Sequence, residues 1–185
     1  MTQILHIKNM VCDRCKSTVL GELKNLGYTV NSLELGQVVL NGNIPRDNSI
    51  LEQTLKKHGF EIIKEETEVL IEEIKIALIK KIENQDNANL SSFLAKTFNK
   101  SASALSKLFS KTEGMTIEKY EINLKIEKVK ELIQLGQLNF SEIAYSLDYN
   151  NSGHLARQFK NVTGMSMTAF KNLQQWNRKA IDQIV

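Results

Sequence analysis

The sequence predicts an α+β chain: a small βαββαβ domain over residues 1–65, a connecting helix over 66–85, and an all-α domain over 86–185 holding two helix-turn-helix modules. Three observations predict it. Residues 3–64 pass twice through strand, helix, strand, with period-two alternation in the strands and three-to-four-residue apolar spacing in the helices. Residues 65–83 carry one unbroken helical pattern, and beyond residue 89 the chain repeats itself at a spacing of fifty residues. A chain of 185 residues has enough apolar content for one good core or two small ones.

Residues 3–8 alternate polar and apolar positions and read as a strand. A loop over 9–13 leads into an amphipathic helix with Val19, Leu23 and Leu26 on one face, which Gly27 ends. Strands follow at 28–35 and 38–40, with Gly36 and Gln37 as the tight turn between them. Pro45 is expected to open a second helix through Ile50, Leu51, Leu55 and Lys57, closed by Gly59, because proline suits a first helical position. Residues 60–64 form the last strand. In the long helix over 65–83, Glu65, Glu66 and Glu68 suit the positive N-terminal end, and Lys80 and Lys81 the negative C-terminal end. Its apolar residues Val69, Leu70, Ile71, Ile74, Ala77, Leu78, Ile79 and Ile82 cover more than one face. Such a helix is expected to be buried on two sides, between the domains or against a second chain. Residues 84–89 are polar and read as a linker.

The repeat then sets the architecture of the C-terminal half. Leu105, Phe109, Gly114, Met115 and Tyr120 recur as Leu155, Phe159, Gly164, Met165 and Phe170, and Lys107 recurs as Arg157. Upstream, Leu94 and Ala95 recur as Ile143 and Ala144 at a spacing of 49, so the second copy has one more residue in its turn. Each copy reads as helix, short turn, helix, with the i, i+4 pairs Leu105/Phe109 and Leu155/Phe159 burying the second helix. The small Ala95 and Ala144 let the two helices cross closely. Between the copies, residues 117–135 read as a helix through Ile122, Ile126, Val129, Leu132 and Ile133. At 1.5 Å per residue it spans about 28 Å, close to the ~34 Å between successive major grooves on one face of a duplex.

Composition narrows the function classes. Residues 1–85 carry 11 Lys+Arg against 12 Asp+Glu, and residues 86–185 carry 13 against 9, a basic excess that permits nucleic-acid binding without establishing it. Residues 2–10 alternate rather than forming an apolar run, and no segment offers some 18 uninterrupted apolar positions, so a cytoplasmic protein without a membrane span is expected. Cys12 and Cys15 are the only cysteines, too close together to staple a fold, which leaves metal binding, redox chemistry or chance. No Ser/His/Asp set, carboxylate pair or phosphate-cradling glycine loop suggests an enzyme.

The stretch 140–166, FSEIAYSLDYNNSGHLARQFKNVTGMS, resembles the AraC/XylS family of bacterial transcription regulators, and 104–116, ALSKLFSKTEGMT, is similar. Asp148 stands where that family's turn usually has Gly, and Met167 where it usually has Pro. Asp tolerates left-handed backbone better than most residues, so the turn should survive. The resemblance implies a base-reading face of Ser103, Ser106 and Lys107 on the first recognition helix and of Ser152, Gly153, Ala156 and Arg157 on the second. It places Lys160, Lys111 and Lys171 toward phosphates. Arg157 is the strongest single candidate, since a guanidinium can bond a guanine edge bidentately, the plainer reading being a surface arginine. The small residues on these faces fit weak direct readout or reliance on DNA shape. His154 suits helix packing or a phosphate better than a base.

The loop 9–15, NMVCDRC, followed by the helix and the remaining strand-strand-helix-strand pattern, resembles the heavy-metal-associated domain of copper chaperones and copper-pumping ATPases. Met10, Cys12, Cys15 and Phe60 match that family, whereas Asn9 and Val11 replace its usual Gly and Thr. The resemblance implies a ferredoxin-like fold with Cu(I) or another soft cation at Cys12 and Cys15. Cys15 begins a helix, where the dipole is expected to lower a thiol's pKa, and two thiolates suffice for Cu(I). Zn(II) wants four ligands and is the weaker candidate. His58 is a possible third ligand or a structural helix-end histidine. His6 is expected on the open face of the sheet, and Met10 in the core. The two resemblances imply a regulator that binds promoter DNA and responds to a soft metal, with a homodimer through the N-terminal domain or the connecting helix as a further partner. The alternatives are an N-terminal dimerisation or partner module without sensing, and a redox or metal-transfer protein. A thioredoxin-like dithiol is disfavoured, because it needs a proline facing the pair and Pro45 is the only proline.

Overall fold

The computed structural model describes residues 2–42 and 48–173, in two units, Met1–Ala77 and Leu78–Val185. The first unit runs β1 (Thr2–Lys8), α1 (Asp13–Asn25), β2 (Thr29–Glu34), β3 (Gln37–Asn41), α2 (Ser49–Lys57), β4 (Glu61–Ile63). Its strands form one antiparallel sheet in the order β2-β3-β1-β4, with Leu5 opposite Val38 and His6 opposite Ile63. Alternation along β1 and β3 sends Leu5, Ile7, Val38 and Leu40 into a core with Val19 and Leu23 of α1, Leu51 and Leu55 of α2, Met10 and Phe60. Full burial of one such aliphatic side chain contributes about 1.5–3 kcal/mol. The expected second helix is shorter than the sequence suggested: Asn48 holds the N-cap position and Ser49 is the first helical residue, while Pro45 lies outside the described residues.

Gly36 turns the β2–β3 hairpin at φ 73°, and a Cβ there would meet the Cδ1 of Ile76 at 2.3 Å. Only glycine gives that combination of left-handed backbone and close approach. Ile76 belongs to α3 (Glu66–Glu83), which crosses the division at Ala77/Leu78. Ile71, Ile74, Leu78, Ile79 and Ile82 are buried, as the many-sided apolar pattern implied. Three of its charged residues are buried as well. Lys75 Nζ donates to Glu72 Oε1 at 3.1 Å, and Glu72 Oε2 accepts the Asn9 amide at 3.3 Å. Lys81 Nζ donates to the Asp86 carbonyl at 2.8 Å and faces Glu121 Oε1 at 3.4 Å. A buried charge is tolerated when paired in this way.

The second unit continues with α4 (Leu90–Phe98), α5 (Ala102–Glu113), α6 (Ile117–Leu135), α7 (Phe140–Ser146), α8 (Ser152–Thr163) and α9 (Met167–Lys171). Side-chain caps start all six: Asn89, Ser101, Thr116, Asn139, Asn151 and Ser166 each accept a backbone N–H of the first turn. Gly114, Gly136 and Gly164 end α5, α6 and α8 in left-handed geometry. The sequence repeat is a structural one. Phe109 packs on Tyr120 with ring centroids 5.5 Å apart, and their counterparts Phe159 and Phe170 lie 5.6 Å apart. Among the described residues no helix is long and apolar enough to cross a membrane.

Candidate functional site

Each helix-turn-helix is built from a capped first helix, a left-handed residue and a capped second helix. In the first copy Asn99 (φ 49°) follows α4, and Lys100 alone separates it from the cap Ser101. In the second, Asp148 (φ 62°) precedes two residues, Tyr149 and Asn150, before the cap Asn151. This is the extra residue that the repeat spacing required. Asn and Asp are the non-glycine residues that best tolerate this region. Met167, where proline was the expected residue, occupies the first position of α9 and is buried. Proline is favoured there but not required.

On α8, Leu155 and Phe159 are fully buried, and the opposite stripe of Gly153, Ala156, Arg157 and Lys160 is exposed, with Ser152 half-buried beside it. The spacing i, i+3, i+4, i+7 puts those four on one face. On α5, Leu105 and Phe109 are buried, Ser103, Lys107 and Lys111 exposed, and Ser106 half-buried. Each helix thus presents a stripe of hydroxyl, small and cationic side chains with no carboxylate among the residues named. Lys171 is exposed and lies 6.0 Å over the Phe140 ring.

One positioning residue escaped the sequence analysis. Tyr149 is buried, and its hydroxyl donates to Gln158 Oε1 of α8 at 2.5 Å. His154 stands edge-on to its ring at 5.5 Å, and Lys125 of α6 lies 5.7 Å over it. Burial, and then the charge of Glu121, push the Tyr149 phenol well above its ordinary range, so it remains a hydroxyl donor. The sequence shows an aromatic residue in the longer turn, but not its bond to Gln158, which depends on how the turn folds back over α8. His154 is exposed, and its amide donates to the Asn151 cap at 2.8 Å.

In the first unit, Cys12 is the N-cap of α1, and its Sγ accepts the Cys15 amide at 3.4 Å. The two sulfurs lie 2.8 Å apart and both residues are half-buried. Burial, followed by the hydrogen bond with Cys12, pushes the Cys15 thiol up, which overturns the expectation that the helix start would lower it. Desolvation outweighs the favourable amides there. Among the described residues no three or more His, Cys, Asp or Glu side chains gather as a metal group. His58 Nε2 lies 3.1 Å from Glu22 Oε1, in the structural role of a helix-end histidine. His6 is half-buried, and Met10 is fully buried in the core. The loop holding the pair is clamped by residues whose role was not read from the sequence. Asn9, at φ 67° where glycine is usual in the resembling family, donates Nδ2 to the Gly59 carbonyl at 2.9 Å and its amide to Glu72.

Comparison with known proteins bears on the second unit. Residues 94–172 match the model of a family described as a helix-turn-helix domain. Over 84 residues, 45% of this chain and 30% of the relative's length, the chain is 30% identical to the Msm operon regulatory protein of Streptococcus mutans serotype c. The match therefore spans less than a third of that relative. Among solved structures, the C-terminal domain of AraT, a response regulator from Geobacillus stearothermophilus, is similar in fold, with a TM-score of 0.50 at 18% identity, covering 60% of this chain and 88% of that one. Capped helix pairs, left-handed turns, repeated aromatic contacts and these matches agree: residues 94–172 form a helix-turn-helix domain.

Proposed function

We propose that this chain binds double-stranded promoter DNA through both helix-turn-helix modules and regulates transcription there. The observation that carries this reading is the doubling. Two recognition helices, α5 and α8, each fixed by a buried stripe, expose Ser103 and Lys107 beside half-buried Ser106 in one module and Gly153, Ala156 and Arg157 beside half-buried Ser152 in the other. These face base edges, while Lys160, Lys111 and Lys171 meet phosphates. Helix α6, with 19 residues, is about 28 Å long, a length that suits placing the two modules in neighbouring major grooves. Both similar proteins are described as regulators, which favours the same reading. The test is titration of the full chain against promoter fragments and random duplex at several salt concentrations. Affinity should fall linearly with log salt concentration as phosphate counterions are released. Equal affinity for every promoter fragment and for random duplex overturns the regulatory role.

A second reading concerns the first unit. Its βαββαβ order and its sheet order β2-β3-β1-β4 favour a ferredoxin-like, heavy-metal-associated domain. Two half-buried thiols form a donor set that fits Cu(I), which accepts two soft ligands, and falls short of the four that Zn(II) takes. Bound to Cys12 and Cys15, such an ion would tie the loop to the first turn of α1. Anaerobic Cu(I) titration should give one ion per chain, and equal binding by the double serine variant refutes the site.

A further inference from the structure

We propose that Cys12 and Cys15 form a reversible intramolecular disulfide, making this loop a site of oxidative modification in its own right. The two sulfurs are held by separately anchored elements. Cys15 sits in the first turn of α1, whose Val19 and Leu23 are fully buried. Cys12 ends a loop fixed on three sides: the Asn9 amide on buried Glu72, Asn9 Nδ2 on the Gly59 carbonyl, and the Met10 carbonyl accepting the Gly36 amide at 3.1 Å. Met10 and Val11 are buried beneath it. These anchors hold the thiols at 2.8 Å, so the sulfurs need to approach by only about 0.8 Å to reach a disulfide bond length. Ordering the pair in advance raises the effective concentration of one thiol at the other. Both residues are also half-buried rather than sealed, which leaves an approach for a small oxidant.

The oxidant is a low-molecular-weight disulfide such as oxidised glutathione. One cysteine thiolate attacks it, forming a mixed disulfide and releasing one glutathione thiolate. The second cysteine loses its proton and its sulfur attacks the first, displacing the second glutathione thiolate. Two cysteine thiols are oxidised, one disulfide is reduced to two thiols, and excess reduced glutathione runs the sequence backward. Metal binding and oxidation would compete for the same sulfurs, but the disulfide does not depend on the metal reading.

The experiment equilibrates the full chain with chelator present in reduced and oxidised glutathione at varied ratio, then quenches with an alkylating reagent and measures intact mass. The expected result is loss of both alkylatable thiols together, with a mass lower by two hydrogen atoms, in a monomer, reversed by reduced glutathione. Cys12→Ser and Cys15→Ser should instead accumulate the single glutathione adduct. Wild type that stays fully alkylatable, that stops at the mixed adduct, or that forms interchain disulfides overturns the proposal. A Cu(I) titration of the reduced chain answers the metal reading separately.

Discussion

Asp148 adopts φ 62° in the turn between α7 and α8, with its side chain exposed. A substitution there acts on the backbone alone. For an L-residue the left-handed region costs about 1–2 kcal/mol, less for Asp and Asn and little for Gly. Asp148→Gly should therefore leave stability unchanged or raised by several tenths of a kcal/mol, whereas Asp148→Val should lower it by about 1–2 kcal/mol. Urea unfolding of the full chain followed by circular dichroism checks both, and equal loss in the two variants defeats the account. Arg157 is the other decisive residue. It is exposed beside Ala156 on α8, and if it reads a guanine edge as proposed, Arg157→Ala should cost about 1–3 kcal/mol on the preferred duplex while weakening random duplex much less. Equal losses on the two make it a phosphate contact. Its position was legible from the repeat, which pairs it with Lys107. Tyr149 was not legible, because a hydroxyl donating to Gln158 nine residues on depends on how the turn folds back over α8.

Helix boundaries in the second unit are fixed by caps more than by propensity. At the start of α7, the Asn139 side chain accepts the Ser141 and Glu142 amides at 2.9 and 3.0 Å, and Glu142 Oε2 accepts the Asn139 amide at 2.7 Å. A helix of 7 residues has few internal bonds to offset their loss. Asn139→Ala should lower stability by about 1 kcal/mol, with Asn139→Ser largely restoring it. Unchanged stability in the alanine variant refutes the cap's importance. The same logic explains what could be read in advance. The bounds of α6 follow from Thr116 before it and Gly136 after it, and both signals are local. The start of α2 did not follow: the sequence pointed to Pro45, whereas the helix begins at Ser49 after Asn48, which makes no side-chain cap bond to signal it. In α3 the apolar pattern announced burial on several sides. It hid the fact that Glu72, Lys75 and Lys81 are buried too: Lys75 pairs with Glu72 one turn away, but Glu72's other partner Asn9 and Lys81's partners Asp86 and Glu121 are distant in sequence or part of a loop.

For the whole chain, the reach of any signal from the first unit to the second depends on α3, the covalent path between them. If metal at Cys12 and Cys15 changes DNA affinity by a factor of about 5–150, equivalent to about 1–3 kcal/mol, DNA must change metal affinity by the same factor. Measuring both constants in the wild type checks this, and DNA affinity that is the same with and without Cu(I) leaves the first unit as a partner or dimerisation module. The division of α3 at Ala77/Leu78 also has a consequence for cutting the chain. Residues 84–89 are all exposed and follow the last helical turn, so they are the loop a protease is expected to nick. They lie inside the second unit, not at its edge. Limited digestion there would leave Leu78, Ile79 and Ile82 on the wrong fragment, stripped of the helices they belong with, and would carry Lys81 away from Glu121. The two products would be a sticky N-terminal piece and a destabilised C-terminal one, and a recombinant fragment of the second unit should begin no later than Leu78 rather than at the protease site.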